Sequence, residues 1–158
     1  MKLSTKGRYA VMAMADLAQA TQAGPVTLND IASRQSISLS YLEQLFAKLR
    51  RADVVQSVRG PGGGYQLSRE ADQIRISDII MAVDEPLTAT RCSQAKGCLA
   101  DGRRCVTHDL WDELGRHIYL FLSSLTLEDV LERRIMGAAT GALTYIDRSD
   151  KGAAAAAQ

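Results

Sequence analysis

The glycine-rich segment at residues 59–64, with the sequence RGPGGG, constrains the fold of this chain more than any other feature. Neither a helix nor a regular strand accommodates one proline and four glycines in so short a stretch. Short segments with strand-like composition flank it, at residues 54–58 and 65–67. The pattern therefore predicts a β-hairpin whose tip carries one arginine, Arg59.

Three helical patterns precede the hairpin. Apolar residues at helical spacing predict a first helix over 7–20. Thr27 and Ser40 each stand three positions before an acidic residue, and we interpret them as N-caps of helices over 28–35 and from 40 to 51. The last of these has an apolar stripe typical of a core-facing helix, formed by Leu42, Leu45, Phe46 and Leu49. Three short helices followed by a hairpin predict a winged helix-turn-helix domain.

After the hairpin, the sequence predicts three more helices, with one long loop between the first and the second of them. We expect a short helix over 77–83, a long helix over 108–124 capped by Thr107, and a last helix from Thr126 to about Arg134. The expected fold class is mainly α with a small β-hairpin. The predicted divisions are a winged DNA-binding domain (1–86), a ligand-binding loop (87–107), a dimerisation helix with the short helix after it (108–136), and a disordered tail (137–158).

Charge is unevenly distributed along the 158 residues, although the formal net charge is only +1. Residues 1–66 contain 8 basic and 4 acidic side chains, whereas residues 67–158 contain 11 and 14. A basic N-terminal half indicates a polyanionic partner, unless it is a chance distribution of surface charge. The 46% hydrophobic content excludes disorder of the whole chain. We find no membrane-spanning run and no signal peptide, and we expect a cytoplasmic protein.

A winged helix-turn-helix domain predicts contacts with double-stranded DNA. The start of the third helix is expected to enter the major groove, while the hairpin tip approaches the minor groove and N-terminal basic residues contact phosphates. The expected contact residues are Ser38, Ser40, Tyr41, Glu43, Gln44, Arg59, Gly60, Lys2 and Arg8. Three of them have simpler alternatives: Glu43 as part of a capping box with Ser40, Gln44 as a solvated side chain, and Arg59 as an ordinary surface arginine.

Three cysteines and one histidine form a candidate ligand set in the middle of the chain. They are Cys92, Cys98, Cys105 and His108, separated by five, six and two residues. Thiolates and an imidazole bind zinc or an iron–sulfur cluster. The wide spacing favours the larger cluster, because structural zinc sites usually use closely spaced cysteine pairs. Redox-active thiols without a metal are the third interpretation.

The long helix predicted over 108–124 carries more apolar surface than a small winged domain can cover. We expect it to pair with the same helix of a second copy, and packing back on its own domain is the alternative. The expected interface residues are Leu110, Leu114, Ile118, Phe121 and Leu122. A twofold homodimer would hold two recognition helices about 34 Å apart, which predicts a pseudo-palindromic operator.

Four segments, together with the Cys/Cys/Cys/His set, resemble the IscR family of iron–sulfur cluster assembly regulators. The segments are LSTKGRYAV (3–11), ISLSYLEQLFAKLR (37–50), SVRGPGGGY (57–65) and AVDEP (82–86). The resemblance implies a winged-helix homodimer that binds DNA and senses iron–sulfur supply. It also implies a [2Fe–2S] cluster held by Cys92, Cys98, Cys105 and His108, and DNA contacts from Ser40, Glu43, Gln44 and Arg59. One departure is that six residues, rather than the family's five, separate Cys98 from Cys105.

Two other functions share parts of this pattern. A related winged-helix regulator could sense nitric oxide or iron through a different cluster, because three cysteines leave the fourth ligand open. A small iron–sulfur electron carrier would share the ligands but would need neither the hairpin nor the basic N-terminal half. We find no second cofactor motif, and we therefore expect no enzymatic activity.

Overall fold

The computed structural model describes residues 4–21, 24–84, 98–99 and 102–135. In chain order its elements are α1 (Thr5–Ala20), α2 (Leu28–Gln35), α3 (Leu39–Arg51), β1 (Val55–Val58), β2 (Gly64–Leu67), α4 (Ile76–Ala82), α5 (His108–Ser124) and α6 (Leu127–Leu131). A single 3₁₀ turn, Ala71–Gln73, lies between β2 and α4. The predicted fold class, mainly α with a small β-hairpin, is confirmed. Most of the predicted loop over 88–106 and the predicted tail over 137–158 lie outside the described residues.

Helix α3 begins earlier than predicted, and this corrects the role of Ser40. Ser38 is the N-cap, with an extended backbone, and its carbonyl accepts hydrogen bonds from the N–H groups of Tyr41 and Leu42 at 3.1 Å. Ser40 lies inside the first turn, so the predicted Ser40–Glu43 capping box is wrong. The start of the helix is fixed instead by apolar burial, because Ile37 and Leu42 are both buried at the two positions of a hydrophobic staple.

The other helix boundaries differ little from the prediction. Thr27 is the N-cap of α2, as predicted, and its hydroxyl accepts the Asp30 N–H at 3.2 Å. Helix α1 begins at Thr5, two residues before the predicted start. Ser4 is its N-cap, because the Ser4 hydroxyl accepts a hydrogen bond from the Lys6 N–H at 3.2 Å. Helix α4 starts and ends one residue before the predicted 77–83, and α6 ends at Leu131 rather than near Arg134.

The two strands pair antiparallel from Val55 with Leu67 to Val58 with Gly64. Tyr65 also exchanges two backbone hydrogen bonds with Val26, at 2.9 and 2.8 Å, which attaches the hairpin to the segment before α2. A Cβ on Gly64 would lie 2.4 Å from the Val26 carbonyl oxygen, so only glycine allows this approach. At the hairpin tip Gly62 has a φ of +75°, a region that favours glycine.

The hydrophobic core lies between α1, α2, α3 and α4, and it also receives side chains from the segment after α5. Phe46, Met14 and Ile79 are fully buried at its centre. Leu125 and Leu127 are buried in the same cluster although they follow the long helix. Arg75 and Thr126 form an isolated antiparallel bridge beside them, in which Ile76 N–H donates to the Leu125 carbonyl and Leu127 N–H to the Ile74 carbonyl. The far end of α5 is thus fixed to the winged core.

Helix α5 leaves most of its apolar stripe exposed. Its buried residues are His108 at the first turn and Gly115. Leu110 is 62% exposed, whereas Leu122 is half-buried against the core. None of the helices in the described parts of the chain has the length and apolar content needed to span a bilayer.

Candidate nucleic-acid interface and metal-ligand residues

The solvent-facing side of α3 carries the residues predicted to contact DNA bases. Ser38, Ser40, Glu43 and Gln44 are all exposed on or beside the first two turns of the helix. The opposite side is buried, so these side chains share the face that points away from the core. The carboxylate of Glu43 is exposed on this face. It does not form the capping box with Ser40 that was the alternative interpretation.

Tyr41 differs from its neighbours because it is only partly exposed. Its ring packs edge-on against Tyr9 of α1, with centroids 6.0 Å apart and planes at 86°. This contact connects the recognition helix to the first helix. Tyr41 therefore has a packing role at the start of the helix.

The wing is attached to the recognition helix through an aromatic contact that the sequence did not reveal. Phe46 of α3 is fully buried, and its ring lies 5.0 Å from that of Tyr65 on β2, at 69°. Arg59 and Gly60 are exposed at the start of the hairpin tip, and Arg8 is exposed on α1. Lys2 lies outside the described residues. The structure thus holds the α3 face and the arginine-bearing tip on one rigid support.

An ion pair between a buried carboxylate and a partly exposed arginine connects α2 to α1. Asp16, only 7% exposed in its side chain, accepts hydrogen bonds from Nε of Arg34 at 2.8 and 3.1 Å. Hydrogen bonding to Asp16 is the main cause that raises the pKa of Arg34. The two partners are eighteen positions apart, and sequence reasoning missed the pair because no local pattern identifies Arg34 as the partner. Asp16 lies on the apolar face of α1, and such a position is a signal that a partner is needed.

A second ion pair connects the recognition helix to the beginning of the cysteine-containing segment. Nζ of Lys48 in α3 lies 2.8 Å from Oδ2 of Asp84, which follows α4. The hydrogen bond and charge of Lys48 lower the pKa of the Asp84 carboxyl, with smaller contributions from Lys6 and Arg51. Asp84 also adopts a left-handed backbone, with a φ of +55°. No local pattern in the sequence indicates the contact between Lys48 and Asp84, which are 36 positions apart.

The structure places two of the four predicted ligands, Cys98 and His108, in direct contact. Sγ of Cys98 lies 2.9 Å from Nδ1 of His108, which is only 6% exposed at the first turn of α5. The hydroxyl of Thr107 lies 3.6 Å from the Cys105 thiol, and hydrogen bonding to Thr107 and then to Cys98 lowers the pKa of Cys105. Cys92 lies outside the described residues. Within the described ranges, no group of three or more His, Cys, Asp or Glu side chains is arranged to hold a metal ion.

A hydrogen-bonded turn accommodates the long spacing between the second and third cysteines. The N–H groups of Cys98 and Leu99 both donate to the carbonyl of Arg103, at 3.0 and 3.1 Å, and Gly102 N–H donates to Leu99 at 2.9 Å. Gly102 has a φ of +81° and has no atom near the position of a Cβ. The backbone at Arg103 therefore lies beside that of Cys98 before the chain reaches Cys105.

The apolar stripe of α5 faces away from the domain to which the helix belongs. Five large apolar side chains of this helix are exposed on that side or close to it: Leu110, Trp111, Leu114, Tyr119 and Phe121. Ile118 and Leu122 are partly exposed. His117 is 70% exposed and lies 3.1 Å from Glu113, so it is a surface histidine rather than a member of the ligand set.

Comparison with known proteins agrees with this arrangement. The family profile Rrf2, described as an iron-dependent transcriptional regulator, matches residues 3–133. The HTH-type transcriptional regulator IscR of Xenorhabdus nematophila is 54% identical over 134 residues, which cover 85% of this chain and 81% of that protein. The solved structure of T. potens IscR has a TM-score of 0.68 at 42% identity, covering 85% of this chain and 88% of its own. CymR, the global cysteine regulator of B. subtilis, has a TM-score of 0.70 at 35% identity, covering 84% and 98%.

The fold and these relatives define a winged helix-turn-helix transcriptional regulator. This confirms the predicted class and agrees with the expectation that the chain is a regulator and not an enzyme. The chain belongs to the Rrf2 family, and its similarity to proteins named IscR confirms the resemblance drawn from the sequence.

Proposed function

We propose that this chain is a homodimeric, cytoplasmic transcription regulator whose affinity for operator DNA depends on a bound [2Fe–2S] cluster. Cys92, Cys98, Cys105 and His108 hold the cluster, and the operator is a pseudo-palindromic duplex. The regulated genes are those of iron–sulfur cluster assembly. The fraction of chains that hold such a cluster changes with iron supply and oxidation. The chain's own residues link the presence of the cluster to which DNA sequences are bound well.

One observation carries this proposal: the 2.9 Å contact between Cys98 and His108 lies at the first turn of a helix whose other end is fixed in the winged core. Soft thiolates and an imidazole suit an iron–sulfur cluster, and Cys105 is held close to Cys98. Ligation through His108 would fix the start of α5, and the Arg75–Thr126 bridge would transmit its position to the domain that carries α3. The chain therefore provides a rigid path between ligand site and DNA-contacting face.

DNA recognition is assigned to the exposed face of α3 and to the wing. Ser38 and Ser40 suit phosphate oxygens, Gln44 suits adenine, and Glu43 suits the amino group of cytosine. Arg59 enters the minor groove, while Tyr41, Gly60, Arg8 and Lys2 contact the DNA backbone. A carboxylate near phosphates is unfavourable unless its oxygens accept a hydrogen bond from a base. Glu43 therefore disfavours DNA sites that present no hydrogen-bond donor to it.

Dimerisation is assigned to the apolar stripe of α5, in which Leu110, Leu114 and Phe121 are exposed and Ile118 and Leu122 are partly exposed. Exposed apolar side chains along one helix face are a surface that a second copy can bury. Leu120 offers a matched control, because it is 56% exposed but lies on the polar side of the same helix. We expect Leu114→Glu to give monomers in sedimentation equilibrium and Leu120→Glu to remain dimeric. Equal behaviour of the two variants would contradict the assigned interface.

The ligand assignment is tested by iron and sulfide analysis of protein purified without oxygen. We expect two irons and two sulfides per chain in the parent, a cluster that is lost in His108→Ala, and one that is retained in His117→Ala. The exposed His117 is the matched control because it lies on the same helix outside the ligand set. Four irons per chain would favour a regulator with a different cluster. Equal cluster content in the two histidine variants would contradict the role of His108.

The functional link is tested by gel shift of promoter DNA with the parent protein in both cluster states. We expect the preference among several promoters to change when the cluster is removed, and Glu43→Ala to reduce this change. Identical preferences in the two cluster states would contradict the proposed cluster sensing but not the role as a transcription regulator. Absence of binding to duplex DNA would favour an electron carrier.

A further inference from the structure

Leu39 is an apolar residue that the fold of this domain does not use. It is the first residue of α3 and is 40% exposed. The core-facing stripe of the helix is complete without it, since Leu42, Leu45, Phe46 and Leu49 are all buried. The staple positions at the helix start are occupied by Ile37 and Leu42. Stability of the helix therefore gives no reason for a leucine at this position.

The surroundings of Leu39 are those of a DNA-contacting surface. Ser38 and Ser40 on either side of it are exposed, and Glu43 lies four residues further, which places it beside Leu39 on the helix surface. Residues at the N-terminal end of the second helix in a helix-turn-helix are the ones that reach base edges. An exposed leucine is unfavourable in water, and it becomes favourable when it meets an apolar group of the partner.

The major groove offers one such group, the C5-methyl of thymine. Cytosine lacks this methyl, and the purines present polar N7 atoms instead. We propose that Leu39 is a specificity-determining residue that packs against the methyl group of a thymine in each operator half-site. This inference rests on the proposed entry of α3 into the major groove. It adds an apolar contact to the polar contacts of Glu43 and Gln44, so the half-site is recognised by its methyl pattern as well as by hydrogen bonds.

The test replaces thymine by deoxyuridine, which removes only the methyl group. The probe is the duplex that the full-length parent protein enriches from a random library, resynthesised with deoxyuridine at each thymine in turn. We expect the parent to lose about fourfold in affinity at one thymine of each half-site, the value for one buried methyl, and about fifteenfold when both are replaced. Leu39→Ala should bind the thymine and deoxyuridine duplexes equally at that position.

Two further variants separate this contact from a general effect on the protein. Leu39→Met keeps an apolar side chain and should retain the methyl dependence. Met81→Ala removes an apolar residue of α4 that is 53% exposed, and because this residue lies outside the recognition helix the variant should behave as the parent does. Because Leu39 is exposed, Leu39→Ala should keep the melting temperature of the parent, and the slope of affinity with salt should not change.

Three results would overturn the inference. The parent could be indifferent to every replacement, Leu39→Ala could keep the full methyl dependence, or Met81→Ala could lose it as well. The first two leave α3 as the recognition helix with polar contacts only. Failure of the parent to enrich any sequence would instead refute the proposed function, so the two failures are distinguishable.

Discussion

Replacing Gly64 by alanine should destabilise the domain by a mechanism that can be worked out from the structure. The new Cβ would lie 2.4 Å from the carbonyl oxygen of Val26, whereas ordinary contacts begin at 3.4 Å. Strand β2 must therefore move by roughly 1 Å, and a hydrogen bond lengthened by that amount no longer counts as one. The two bonds between Val26 and Tyr65, at 2.9 and 2.8 Å, would be lost together.

Each backbone hydrogen bond contributes about 1 kcal/mol to stability, so Gly64→Ala should cost about 2 kcal/mol. For a chain of this size the loss corresponds to a melting temperature lower by about 4–8 °C. Gly62→Asn is the control, because Gly62 has open space around it and asparagine tolerates its left-handed backbone. We expect this control to cost less than about 1 kcal/mol.

The measurement is urea unfolding followed by circular dichroism, on proteins with the same iron content, so that metal binding does not contribute to the difference. The hairpin also carries Arg59, so Gly64→Ala should weaken DNA binding beyond its effect on stability. If Gly64→Ala is no less stable than Gly62→Asn, the reasoning from the close approach of β2 to Val26 is wrong.

Three further outcomes are expected. Thr126→Ala removes the hydroxyl that accepts the Asp129 N–H at 3.0 Å and should lower the free energy of unfolding by about 1 kcal/mol, measured by urea unfolding. Lys48 lowers the pKa of Asp84 in the folded protein. The ion pair therefore stabilises the fold fully above the unfolded-state pKa of about 3.9. This stabilisation is lost as the pH falls through the lower, folded-state pKa of Asp84. Asp84→Asn should therefore be less stable than the parent at neutral pH and equally stable in acid, and a pH-independent difference would contradict this. Arg59→Ala should reduce the slope of log affinity against log salt by about one per protomer, because a cation in the minor groove also displaces counterions. An unchanged slope would contradict the proposed entry of Arg59 into the groove.

Local patterns were sufficient to predict most helices and the hairpin. The bounds of α2 follow from its Thr27 cap and those of α5 from apolar periodicity, and the glycine-rich tip could form nothing but a turn. Thr107 stands at the N-cap position of α5 as predicted, but its hydroxyl makes no capping hydrogen bond and lies near the Cys105 thiol instead. The choice between Ser38 and Ser40 as the N-cap could not be made locally, because both are good caps. It was decided by the burial of Ile37 and Leu42, which is a property of the packed domain.

Contacts between distant parts of the chain could not be predicted in the same way. The pairs of Asp16 with Arg34 and of Lys48 with Asp84 join residues whose charges look like ordinary surface charge in the sequence. The contact of Cys98 with His108 was anticipated because thiol and imidazole are ligand types. The assignment of all four ligands stays a prediction, and Cys92 also lies outside the described part of the chain.

The bridge between Arg75 and Thr126 has a consequence for synthesis on the ribosome. Leu125 and Leu127 complete the core that holds α3, yet they are added 45 and 47 positions after Ile80, the last buried residue of α4. A nascent chain that has just emerged as far as α4 therefore exposes an unfinished apolar surface. The DNA-contacting half can close only after all three cysteines and His108 have been translated, so each newly folded copy already contains its complete ligand set.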